Sequence, residues 1–208
     1  MILRFVFVAA VALLLGGCNG WVAETRLIPV GERDSVGLAG VYIGDEQGAV
    51  LIAPGEAGLV RFSDREGREP PTDVAFDLLR EERPAPVLYT PEEVAADEAA
   101  ERPEPDRSYL MEIPFEGDEG KIVYYYAIVR IEGGKPAASF KLYTLLCSKA
   151  AAAFAARRDD QICIFDDYGR LRTAALDALA WHDDARMALD SPTFRLQVEA
   201  DEMAPDGF

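Results

Sequence analysis

A single histidine, His182, serves a chain of 208 residues. Every serine–histidine or cysteine–histidine nucleophile pair, and every multi-histidine metal site, would have to rest on that one ring. It stands in Ala180-Trp-His-Asp-Asp184, at the end of an expected helix, where the helix dipole favours an imidazole. Basic charge is also scarce, with 21 Lys and Arg against 37 Asp and Glu and a net charge of −16. That balance argues against nucleic acid, which is bound by neutralising phosphates, and against a polybasic grip on anionic lipid. No apolar run reaches the roughly 20 residues that a membrane-spanning helix needs. No stretch matches the D-x-[DN]-x-[DN]-G calcium loop. Gly44–Gly48 and Gly117–Gly120 lack the Lys-Ser/Thr and following helix of a phosphate loop, and read as hairpin turns. No catalytic constellation, cofactor fingerprint or metal-ligand cluster is legible.

Carboxylates are plentiful, and Asp159-Asp160, Asp166-Asp167 and Asp183-Asp184 are adjacent pairs. Neighbouring residues on a strand point to opposite faces, so adjacency does not build a shared proton or a cation site. All three pairs fall at expected turns or helix ends, where capping accounts for them. A carboxylate-dependent hydrolase stays open as an alternative and would need two acidic groups converging in one cleft.

The longest apolar run is Phe5–Leu15, 11 residues that follow Arg4. Its length suits the core of a signal peptide, about 7–15 residues, and it lacks the polar positions of an amphipathic helix. Leu15-Gly16-Gly17-Cys18 comes next and resembles the lipobox of bacterial lipoproteins. The small residues let an extended backbone enter a protease site, and the thiol is the nucleophile that accepts lipid. The resemblance implies cleavage before Cys18 and a diacylglyceryl thioether on it. Plain secretion, the rival reading, would not need the cysteine. Two or more acyl chains anchor stably where one binds marginally. Loss of residues 1–17 takes the chain from 208 residues to 191 and its net charge from −16 to −17. The expectation is a lipid-anchored domain in the cell envelope, facing the periplasm. Asn19 replaces the Asp that marks inner-membrane retention in enteric bacteria, which tilts this towards the outer membrane.

With Cys18 taken by lipid, Cys147 and Cys163 remain, and an even pair in an oxidising compartment reads as a disulfide. Two free buried thiols and a redox pair are the alternatives, and the spacing is far from C-x-x-C.

Residues 18–24 read as a lipidated tether, with Trp21 at the headgroup boundary. Residues 25–200 read as one α+β domain of mainly antiparallel sheet, and 201–208 as a polar tail. Thr25–Val30 is a candidate strand. Gly40-Val-Tyr-Ile, Ala49-Val-Leu-Ile-Ala and Leu59-Val-Arg-Phe, separated by Gly/Asp/Pro clusters, predict a β-meander whose pattern resembles the opening of small lipocalin-like barrels. Asp73–Arg80 and Val87–Tyr89 are further candidate strands. Seven of the 13 prolines lie between Pro70 and Pro105, and 90–107 reads as an acidic loop with too little apolar surface to order. Tyr109–Phe115 and Lys121–Ile131 predict a hairpin. Within it Tyr124 and Tyr126 share one face and Tyr125 takes the other, as core and cross-strand partners or as an aromatic ligand surface. Ala138–Cys147 follows as a strand with Phe140, Leu142 and Thr144 on one face. Ser148 is placed to cap a helix over Lys149–Arg158, whose terminal arginines suit the dipole. Gln161–Phe165 returns as a strand, Asp166-Asp167 caps a helix over Tyr168–Trp181, and Thr193–Glu199 is the last strand.

The sequence therefore predicts a curved or barrel-like antiparallel sheet with two C-terminal helices. Its function is expected to be non-enzymatic, with the membrane as one partner through Cys18 and an envelope protein as another. A carrier or sensor of a small apolar ligand is the principal alternative, and would hold an apolar cavity lined by alternating strand residues.

Overall fold

The structure, a computed structural model, describes residues 20–44, 48–65, 67, 70–82, 104–117, 120–134, 136–182 and 192–199. Along the chain run β1 (Gly20–Ala23), β2 (Gly40–Gly44), β3 (Gly48–Pro54), β4 (Val60–Asp64), β5 (Thr72–Glu82), β6 (Asp106–Glu116), β7 (Ile122–Glu132) and β8 (Ser139–Thr144). After these come α1 (Lys149–Phe154), β9 (Arg157–Asp159), β10 (Ile162–Phe165), α2 (Tyr168–His182) and β11 (Thr193–Glu199).

Strands β2 to β8 pair in sequence, each antiparallel to the last, and β11 pairs with both β8 and β2. The result is a closed eight-stranded barrel. Closure leaves no free edge among these strands, which removes the template that an edge would offer another chain. The wall forks at β7. Its Ala127–Glu132 half pairs with β8, while Tyr124 and Tyr125 pair with β1, which continues through β10 to β9. The free edge, β9, is three residues long, charged and exposed, which discourages pairing with another chain.

Period-two patterning sets the barrel interior. On β3, Val50 and Ile52 are fully buried between partly exposed Ala49, Leu51 and Ala53. Facing them are Tyr42, Phe76, Tyr109, Met111, Val129, Phe140 and Phe194. The rings pack on one another: Phe140 stacks on Phe194 at 4.7 Å between centroids, and Tyr42 meets Phe140 edge-on at 5.2 Å. The buried Tyr42 hydroxyl donates to the Ala137 carbonyl at 2.9 Å.

Strands β5 to β8 are buried on their outer side as well, which is why their sequences run apolar without clean alternation. Ala75, Leu79, Leu110, Ile128, Tyr143 and Leu145 form this outer floor. Helix α2 covers it with Leu171, Ala174, Ala175 and Leu179, at helical spacing. The expected tyrosine split holds: Tyr124 and Tyr126 belong to the outer core, Tyr125 packs against the inner one and meets Phe115 edge-on.

Several expectations are corrected. Gly20–Ala23 is a buried strand, not a tether, because β10 and β7 offer it partners on both sides. Thr25–Val30 is not a strand. The Leu27 and Ile28 amides donate instead to the Glu112 carboxylate, and Val30–Glu32 forms a single 3-10 turn. Helix α1 stops at Phe154, four residues early. Ala155 turns extended, the Ala156 amide bonds the Ile164 carbonyl, and Arg157 and Arg158 enter β9. Pairing with β10 overrides alanine's helix preference. Asp106 and Arg107, expected in the acidic loop, start β6. Val87–Tyr89, most of 90–107, the signal region 1–17, Cys18 and the tail 201–208 lie outside the described residues.

The expected cap is present: the Ser148 hydroxyl accepts from the Ala151 amide at 3.1 Å. Ser148→Ala should lower stability by about 1 kcal/mol, read as a shift in the urea unfolding midpoint. An unchanged midpoint would show that the six-residue helix is held by packing alone.

Candidate functional site

The chain enters the described structure two residues after Cys18, and it enters the core at once. Strand β1 pairs in parallel with β10, Trp21 opposite Cys163 and Ala23 opposite Phe165. Trp21 is 1% exposed. Its indole N–H donates to the Leu146 carbonyl at 2.9 Å and its ring meets Phe165 at 5.0 Å. It is therefore a core residue, not the headgroup anchor expected of it. Beside it Cys147 and Cys163 are bridged, with Cα atoms 5.2 Å apart. The bridge ties the β8–α1 connection to β10.

Around Trp21 lies an apolar groove of about 240 Å³, with Trp21, Leu145, Ala151, Ala174, Ala178 and Trp181 among its walls. Its depth has a sequence origin. Ala174, Ala178 and Trp181 recur on one stripe of α2, and the two alanines leave a trough where larger side chains would fill it. Two large apolar side chains lining the groove reach solvent, Trp181 at 69% exposure and Leu146 at 48%. Asp177 supplies the one carboxylate among the lining residues. The volume falls below the roughly 300–1,000 Å³ of sites for drug-sized ligands.

Two buried carboxylates lie on the outer face of β5 and β6. Glu112 is 0% exposed. Its Oε2 accepts from the Leu27 amide at 2.7 Å, the Ile28 amide at 3.0 Å and the Tyr126 hydroxyl at 3.0 Å. Its Oε1 lies 3.4 Å from Arg26 Nε, and the Arg26 guanidinium sits over the Tyr124 ring at 5.3 Å. Burial, reinforced by the neighbouring Glu112, pushes the Tyr126 phenol far above its ordinary range. Asp77 is 3% exposed and accepts from Arg172 Nε at 3.1 Å, while a second Arg172 nitrogen bonds the Leu78 carbonyl. Burial raises the Asp77 carboxyl, and the nearby Tyr168 hydroxyl and Arg172 offset part of that rise. Each carboxylate has its own arginine and fastens one covering segment to the barrel: Glu112 the stretch after β1, Asp77 the helix α2. This is the chemistry of pegs: three protein donors converge on Glu112 Oε2, while Oε1 faces Arg26 and accepts no hydrogen bond among the described residues.

The sequence-level candidates are dispersed. His182 closes α2. Asp167 accepts from the Arg170 amide at 2.8 Å and caps that helix as expected, Asp159 ends β9, and Asp160 turns the chain at φ +50°. Asp183-Asp184 lie outside the described residues. Glu112, Arg26 and Asp77 belong to no motif in the sequence. The one available signal was a carboxylate set between Met111 and Ile113 in an otherwise apolar strand.

No family model, curated protein or solved structure matches this chain.

Proposed function

We propose that the protein is a lipid-anchored domain of the bacterial cell envelope, facing the periplasm and working by contact rather than by catalysis. The observation that carries this reading is the contiguity of anchor and fold. The lipobox cysteine is two residues from Gly20, which is already buried in the sheet. A bridged Cys147–Cys163 pair fits an oxidising compartment, where such bridges persist. Asn19 favours the outer membrane over the inner.

Cys18→Ser should abolish incorporation of a labelled fatty acid and move the protein from the membrane pellet to the soluble envelope fraction. Wild-type protein that carries no acyl group while sitting in the membrane would reject the anchor.

The carrier reading draws on the closed eight-stranded meander, a shape suited to holding a small apolar ligand. Against it stand the interior rings of Tyr42, Phe76, Phe140 and Phe194, packed on their neighbours where a ligand would have to lie. Native mass spectrometry of protein taken from its own envelope separates the two. A stable protein partner supports the contact role, and a stoichiometric small molecule overturns it in favour of the carrier.

A further inference from the structure

We infer that the groove between α2, α1 and β1 is the face on which this domain rests against the bilayer, with Trp181 and Leu146 set into the headgroup layer. The inference rests on the anchor reading and specifies which surface the anchor brings down. Two residues, Asn19 and Gly20, separate Cys18 from Trp21, so their Cα atoms lie within about 11 Å of each other even with the chain fully extended. Acyl chains on the cysteine hold it at the depth of the lipid glycerol groups. The headgroup layer above is roughly 5–8 Å thick on each side of the hydrocarbon. With Trp21 pinned in the core and at most about 11 Å of chain between it and the lipidated cysteine, the surface around Trp21 stays close to the membrane plane.

That surface is the groove, and its chemistry suits the interface. A tryptophan exposed to 69% keeps apolar ring surface in water unless something covers it, and indole prefers the boundary where its ring is in apolar surroundings and its N–H is wet. Leu146 adds a second exposed apolar side chain on the same groove. Without residues 1–17 the net charge is −17, too acidic for attraction to anionic lipid, so the contact needs the tether to form. The anchor supplies the affinity, and the groove sets the orientation.

The test uses the acylated protein purified from its producing envelope and reconstituted into phosphatidylcholine vesicles with brominated acyl chains. Subtracting the spectrum of a Trp181→Phe variant isolates the emission of Trp181, a substitution its exposure makes harmless to folding. We expect that emission to be blue-shifted and mostly lost to bromine. A Trp181→Phe/Leu176→Trp variant moves the probe roughly 140° round the helix, away from the groove, and should escape quenching. Equal quenching of both probes overturns the groove as the contact face. Acylated protein that floats with the vesicles while Trp181 stays unquenched overturns the docking and leaves the anchor intact. In that case a blue shift would point to a protein partner, or to one of its own acyl chains, in the groove. An intact mass showing no acyl group on Cys18 overturns the anchor and the docking together.

Discussion

Glu112→Ala should cost about 3–5 kcal/mol of folding stability, the range for removing one member of a buried ion pair. The wild-type carboxylate is sealed from water, yet three donors and a guanidinium converge on it. Alanine leaves the Leu27 and Ile28 amides and the Tyr126 hydroxyl without their acceptor, and leaves the Arg26 charge without its partner. Each such orphan carries a desolvation penalty of its own, about 1–3 kcal/mol. Glu112→Gln keeps the volume and one acceptor oxygen, so it should fall between alanine and wild type. Adding Arg26→Ala to Glu112→Ala should cost less than the sum of the two single changes, because the cation no longer needs a counter-charge. Equilibrium unfolding in urea measures the four variants against wild type. A loss below about 1 kcal/mol for Glu112→Ala would mean that apolar contacts, not this carboxylate, hold residues 24–28 to the barrel.

Cys147→Ser and Cys163→Ser should each lower stability by roughly 3 kcal/mol, and by similar amounts, since either change opens the same loop. Fifteen residues lie between the two cysteines and carry α1 and β9. Cutting the bridge enlarges the unfolded ensemble, and it also frees the β8–α1 connection that forms one wall of the groove. Cys163 is fully buried, so a serine there adds an unpartnered hydroxyl, and Cys163→Ala serves as the control for that effect. Reducing agent should move the wild-type unfolding midpoint towards that of the variants and leave a Cys147→Ser/Cys163→Ser double variant unmoved. A wild-type midpoint indifferent to reduction would show that the bridge contributes nothing to the folded state.

Where burial leaves a local signature, the sequence was readable. Strand β11 runs from Thr193 to Glu199 as expected, and the β6–β7 hairpin lies where β-branched and aromatic runs flank a glycine turn. Asp167 and Ser148 cap the helices they were expected to cap. Strand β1 shows the opposite case. Gly-Trp-Val-Ala is too short to display a period, and its parallel partner β10 lies some 140 residues further on. The helix expected over Lys149–Arg158 ends at Phe154 for a related reason. Alanines favour helix locally, but β10 offered Arg157–Asp159 a hydrogen-bonding edge. The Glu112–Arg26 pair could not be read from spacing, because the two residues meet only when the segment after β1 lies across β6.

The sequence by itself determined the things that depend on neighbours along the chain. These are the meander with its turns, the helix caps, the acidic surface, the lipobox resemblance and the pairing available to two cysteines. Tertiary structure alone decided that the sheet closes, since β11 meets β2 only after the chain has circled the barrel. It alone made Trp21 a core residue and Trp181 an exposed one, although both are the same amino acid. Side-chain chemistry states a preference for apolar surroundings, and only the folded chain settles which side chains have that preference met from within.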